Sequence, residues 1–138
     1  MAKKKPKMWV FSPPKPPKPK VPEELKAQVQ EKANQLVETV LKPRYIQPPP
    51  KDERFNYLVD IYTKWHRSYF YFCSIYRSPG PNAISPGFES RFARLEYTGG
   101  NRFNLSYFRH TGQWWELYTG LTLDKALAAI RDEPHFMP

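Results

Sequence analysis

The residues whose types come closest to a reactive centre are Arg109-His110-Thr111-Gly112-Gln113. A guanidinium, an imidazole and the amides of a glycine turn together suit holding an anion or moving a proton. A small hydrolase or nuclease centred on Arg109 and His110 is therefore one reading, with Asp60, Glu96 and Glu116 as the acids that would have to converge. Each of those acids alternates with apolar neighbours, as an outward polar residue on a strand does. No lysine follows Glu96 or Glu116 at the two-residue spacing that would strengthen a nuclease assignment. Thr111 also separates Arg109-His110 from Gly112, which departs from the Arg-His-Gly of histidine phosphatases. A polar β-turn accounts for the same five residues more simply.

Other catalytic chemistry finds less support. His66, His110 and His135 are far apart, and none stands at a ligand spacing from another His or from Cys73. Cys73 lies within an aromatic run, with no base beside it in sequence, and reads as a small buried apolar residue. Gly99-Gly100 leads from one strand to another and not into a helix, so it marks a hairpin and not a phosphate cradle. The sequence thus offers no catalytic residue, metal or cofactor as an expectation, and a binding role leads over an enzymatic one.

Aromatic and cationic residues make the stronger pattern. Of 22 Phe, Tyr and Trp, 18 fall between Phe55 and Tyr118, and they peak at Tyr69-Phe70-Tyr71-Phe72. Neighbouring side chains of a strand point to opposite faces, so this strand is aromatic on both. Lys64-Trp65-His66-Arg67 precedes it, and Arg91, Arg94, Arg102 and Arg109 follow near Tyr97, Phe103, Tyr107, Trp114 and Trp115. Rings beside cations suit single-stranded nucleic acid, where stacking contributes about 1–3 kcal/mol per base whatever the sequence.

Charge is unevenly placed. Of the net +9, Lys3, Lys4, Lys5, Lys7, Lys15, Lys18 and Lys20 supply +7 before the first acid, Glu23. The remaining 15 Lys and Arg nearly balance 13 Asp and Glu, so attraction to polyanions lies mainly in residues 1–22. Seven prolines share that segment, which predicts a disordered, polyproline II tail. It reads as a solubilising arm, as a phosphate-binding arm, or, through Pro13, Pro16 and Lys18, as a ligand for a protein partner with an aromatic groove. Lys3-Lys4-Lys5-Pro6-Lys7 would serve nuclear import in a eukaryote; otherwise a cytoplasmic location is expected. Met8-Trp9-Val10-Phe11 is too short for a signal-peptide core, and no apolar run approaches the roughly 20 residues of a membrane span.

The elements that must position these residues can be read from periodicity. After Pro22, a helix is predicted over 23–42, with Leu25, Val29, Ala33, Leu36, Val37, Val40 and Leu41 as its apolar stripe and Lys42-Pro43 as its stop. A stiff linker over 43–54 leads into a sheet over 55–118: four to five antiparallel strands in a meander, with turns near Trp65-His66-Arg67, Gly99-Gly100-Asn101 and His110-Gln113. A Pro/Gly-rich loop, Ser78 to Gly87, is longer than a hairpin needs. Thr122 then caps a helix over 122–132 that Pro134 ends. The class is α+β, one domain over 23–138 behind the tail.

The order of basic tail, antiparallel sheet and closing helix resembles the layout of single-strand-binding transcriptional cofactors, which implies single-strand binding. Residues expected to bind are Lys3, Lys4, Lys5, Lys7, Lys15, Lys18, Lys20, Lys64, Trp65, Arg67, Arg109 and Trp114, with single-stranded DNA or RNA as partner. The alternative is a protein-interaction module or homodimer that uses the aromatic sheet surface and the Pro-rich tail.

Overall fold

The computed structural model of the protein describes residues 19–52 and 54–138. Helix α1 (Glu23–Leu36) begins directly after Pro22, with Glu23 and Glu24 at the positive end of its dipole. Val21, Leu25, Val29, Ala33, Val37 and Leu41 are its buried residues and those of its extensions, one every four positions. In an α-helix each four-residue step drifts the stripe by about 40°. The chain corrects this drift with a π-helical turn, Val37–Leu41, which rotates less per residue and returns Leu41 to the sheet.

That turn also changes the predicted end of the helix. Pro43 does not stop it: a further α-helical turn, α2 (Lys42–Tyr45), follows, and Ile46 N donates to Lys42 O at 3.0 Å. Proline breaks a helix by lacking an N–H and by crowding the carbonyl four residues back. Here Lys42 N bonds Val37 O, five residues back, so the helix is already wider where the proline ring enters. The extended connector therefore starts at Ile46, three residues later than expected.

Five strands follow: β1 (Tyr57–His66), β2 (Tyr69–Arg77), β3 (Gly87–Gly99), β4 (Arg102–Phe108) and β5 (Trp114–Leu121). Each pairs antiparallel with the next in the order β1-β2-β3-β4-β5, the expected meander. The first hairpin turns at Arg67-Ser68 and not a residue earlier, with Arg67 at φ 57° in the left-handed region that glycine usually occupies. Gly99 and Gly100 supply positive φ at the third turn, as their sequence suggested. Gly87 is needed for a different reason, since a Cβ there would lie 2.6 Å from the Tyr76 carbonyl oxygen.

Helix α3 (Leu123–Asp132) is capped by Thr122, whose hydroxyl accepts from Lys125 N. Its residues Leu123, Ala126, Ala129 and Ile130 join the α1 stripe, Phe70, Phe72, Leu95, Phe103 and Leu105 in one core. Phe136 closes that core from a short 3₁₀ turn, Pro134–Phe136. Lys32 Nζ meets Asp124 Oδ1 at 3.1 Å, and the two long helices lie side by side on one face of the sheet. No described helix lies on the other face. Among the described residues no helix is long and apolar enough to cross a membrane.

The fold assigns opposite roles to two nearby rings. Phe72 is fully buried, whereas Phe108 is 40% exposed at the end of β4. Replacing Phe72 with Ala should cost about 3–5 kcal/mol in urea unfolding, and Phe108→Ala less, about 1–3 kcal/mol, because 40% of the Phe108 surface stays in water. Similar costs for both would mean the helices cover the wrong face.

Candidate functional site

On β2, Phe70 and Phe72 point to the helices, while Tyr69, Tyr71 and Cys73 point to the helix-free face. The register places Lys64, Tyr71, Arg94, Ser106 and Glu116 in one row across that face, with His66, Tyr69, Glu96 and Asn104 in the next. Arg91 stands opposite Cys73 in a third row. In regular β-structure residues 91 and 94 would face opposite ways. A bulge in β3 prevents this: Ala93 pairs with Phe72, Arg91 with Cys73, and Phe92 is the extra residue. Phe92 and Ala93 both turn into the core, so Arg91 and Arg94 both reach the helix-free face.

There the two guanidinium groups lie over rings. Arg94 is 4.5 Å from the Tyr69 ring centre and 4.6 Å from that of Trp114, and Arg91 is 4.4 Å from Tyr71. Trp114 also meets Tyr71 at 5.9 Å and Phe108 edge-on at 5.1 Å. Such cation–π contacts contribute about 0.5–2 kcal/mol each, rising as water is excluded. They cover the rings so well that Tyr71 is only 6% exposed without a helix over it. Arg94 Nε is buried without a hydrogen bond, and neither arginine has an ion pair among the described residues.

Two carboxylates of β1 and β3 are paired with lysines. Lys64 Nζ lies 3.6 Å from Glu89, and Lys42 Nζ 3.1 Å from Asp60. The Tyr62 hydroxyl, ahead of the Lys64 and Arg91 cations, holds the Glu89 carboxyl below the usual carboxylate range. Burial, followed by Glu89, pushes the Tyr62 hydroxyl well above its ordinary value. Burial likewise pushes the Cys73 thiol up, which suits a small packing residue and not a nucleophile.

The residues named from sequence divide into several groups. Lys3, Lys4, Lys5, Lys7, Lys15 and Lys18, and with them the tail prediction for residues 1–18, lie outside the described residues. Lys20 and Arg67 share a cavity of about 470 Å³ with Lys26, Ser68 and Tyr69 at the β1–β2 turn. Lys64 and Trp114 are on the helix-free face. Trp65 is not: it packs on Phe70 at 5.0 Å, and its Nε1 donates to Lys26 O at 3.1 Å on the core side. Arg109 sits at the opposite end of the sheet from Arg67, over Trp115 at 4.9 Å. Its turn is an ordinary one, in which Gly112 N donates to Arg109 O at 2.9 Å and Gly112 has φ 85°.

Asp60, Glu96 and Glu116 stay on separate strands, and no group of three His, Cys, Asp or Glu among the described residues could hold a metal ion. Arg91, Arg94, Tyr69 and Tyr71 are the residues the sequence-based site lacked. Their common surface depends on the bulge at Phe92, which leaves no mark in hydrophobic alternation.

The family model for a domain of unknown function, DUF3024, matches residues 8–138, and the chain belongs to that family. The match includes part of the segment predicted as a tail. No curated protein and no solved structure matches the chain.

The stacking is open to direct measurement. A double-mutant cycle of Arg94→Gln and Trp114→Leu, followed by urea unfolding, should give a coupling of about 0.5–2 kcal/mol. Additive losses would show that the guanidinium does not rest on the indole in solution.

Proposed function

We propose that the helix-free sheet face binds single-stranded nucleic acid and performs no chemistry on it. The observation that carries this reading is the placement of Arg91 over Tyr71 and of Arg94 over Tyr69 and Trp114, with no ion pair among the described residues. A guanidinium already held over a ring loses less rotamer freedom when it meets a phosphate. Phe108, at 40% exposure, extends the same surface with a ring that a base can stack on. Lys20, Lys26 and Arg67 continue the line of positive charge around the β1–β2 turn. The lysines of the tail add sequence-independent attraction.

A second reading rests on β5. It is an edge strand of eight residues on which Trp115 is 51% and Tyr118 37% exposed, and such an edge suits pairing with a protein strand or a second copy of the chain.

Fluorescence anisotropy with a labelled thymidine oligomer tests the first reading. Arg91→Gln with Arg94→Gln should weaken binding at least about tenfold, while deletion of residues 1–18, which spares the buried Val21, should leave binding measurable and flatten the salt slope by up to about 4, for six lysines at roughly 0.7 each. Loss of all binding on truncation, with no effect of the arginine substitutions, would place the interaction in the tail alone. Sedimentation of the free protein as a dimer sealed along β5 would favour the second reading.

A further inference from the structure

Strand β3 begins at Gly87, but its pairing with β4 runs only from Ala93, opposite Tyr107, to Gly99. Residues 87–91 therefore have a ladder partner on the β2 side and none on the β4 side. Phe108 and Trp114, the last residue of β4 and the first of β5, stand across this step. The result is a notch of about 380 Å³ lined by Glu89, Ser90, Arg91, Phe108 and Trp114, a volume within the range of small-ligand sites.

We propose that this notch is a base-reading subsite that takes guanine. The inference rests on the reading of this face as a single-strand-binding surface and adds a preference to it. Phe108 and Trp114 meet at 5.1 Å and supply the aromatic wall against which a base stacks. Glu89 supplies a carboxylate whose side chain is 43% exposed although the Tyr62 hydroxyl and Lys64, 3.6 Å from Oε2, already act on it; its two oxygens keep lone pairs for a further partner. An ionised carboxylate accepts hydrogen bonds and donates none. Among the bases only guanine offers two adjacent N–H donors, N1–H and the 2-amino group, on its pairing edge. Adenine and cytosine present a donor beside an acceptor, and thymine or uracil a donor between two acceptors, so each would set a lone pair against the carboxylate. Arg91, on the Tyr71 ring at the inner side of the notch, is placed for the adjoining phosphate.

The test uses the full chain and four nine-residue oligonucleotides: thymidine throughout, or with one central guanine, adenine or cytosine. Competition anisotropy should rank the guanine oligomer first, about tenfold tighter than the thymidine one, as one bidentate base contact allows. Glu89→Gln should bring that ratio close to one, since an amide presents one acceptor and one donor, and Glu89→Asp should retain part of it. Equal binding of all four oligomers by the natural chain would overturn the subsite and leave the sheet-face reading standing. Binding of none would overturn both. A guanine preference that survives Glu89→Gln would remove Glu89 from the assignment.

Discussion

One extra residue in β3 decides what the helix-free face is made of. With Phe92 accommodated as a bulge, two consecutive side chains, Phe92 and Ala93, enter the core, and the arginines on either side emerge together. A regular strand would instead turn one of the two guanidiniums toward Phe70 and Phe72. An unpaired cation there would cost several kcal/mol, because the core offers it no carboxylate. The bulge thus serves packing and surface chemistry at once: Phe92 meets Phe72 at 6.0 Å on one side, and Arg91 meets Tyr71 at 4.4 Å on the other.

Much of the remaining architecture follows from placing both helices on one side. The α1 stripe recurs every four residues and would wander around a regular helix, yet the π turn at Val37–Leu41 keeps it on the sheet and lets the chain pass Pro43. Helix α3 lies beside α1, and Phe136 seals the end of the core. The opposite face then has to protect its own aromatic residues. It does so with arginine: Tyr71 and Cys73 are nearly inaccessible, although neither belongs to the core beneath the helices. A face of bare rings would be an aggregation hazard. Guanidinium groups held over those rings shield their apolar area.

Sequence patterning revealed this plan unevenly. The aromatic run at Tyr69 to Phe72, the glycines at 99 and 100 and the Thr122 cap were enough for a meander closed by a helix. Pro43 misled because the π turn that admits it depends on tertiary packing and not on a local signal. The first turn was hard to place because Arg67 takes a left-handed conformation that its side chain does not advertise. For the site, Lys64 and Trp114 lie where a shared surface needs them, but Trp65 stands at an inward position of β1 and packs, partly buried, against the core. Arg91 and Arg94 were visible as cations among aromatics. Their spacing of three argued against a common face, and only the bulge reverses that argument.

Under the proposed function, single-stranded nucleic acid meets the arginine-covered face of the sheet. Backbone amide chemical shifts of the full chain, followed while a thymidine oligomer is added, test it most directly. The largest changes should fall at Tyr69, Tyr71, Arg91, Arg94 and Trp114, with α1 and α3 little affected. Changes confined to residues 1–22, or spread over the helices while those five stay still, would contradict it.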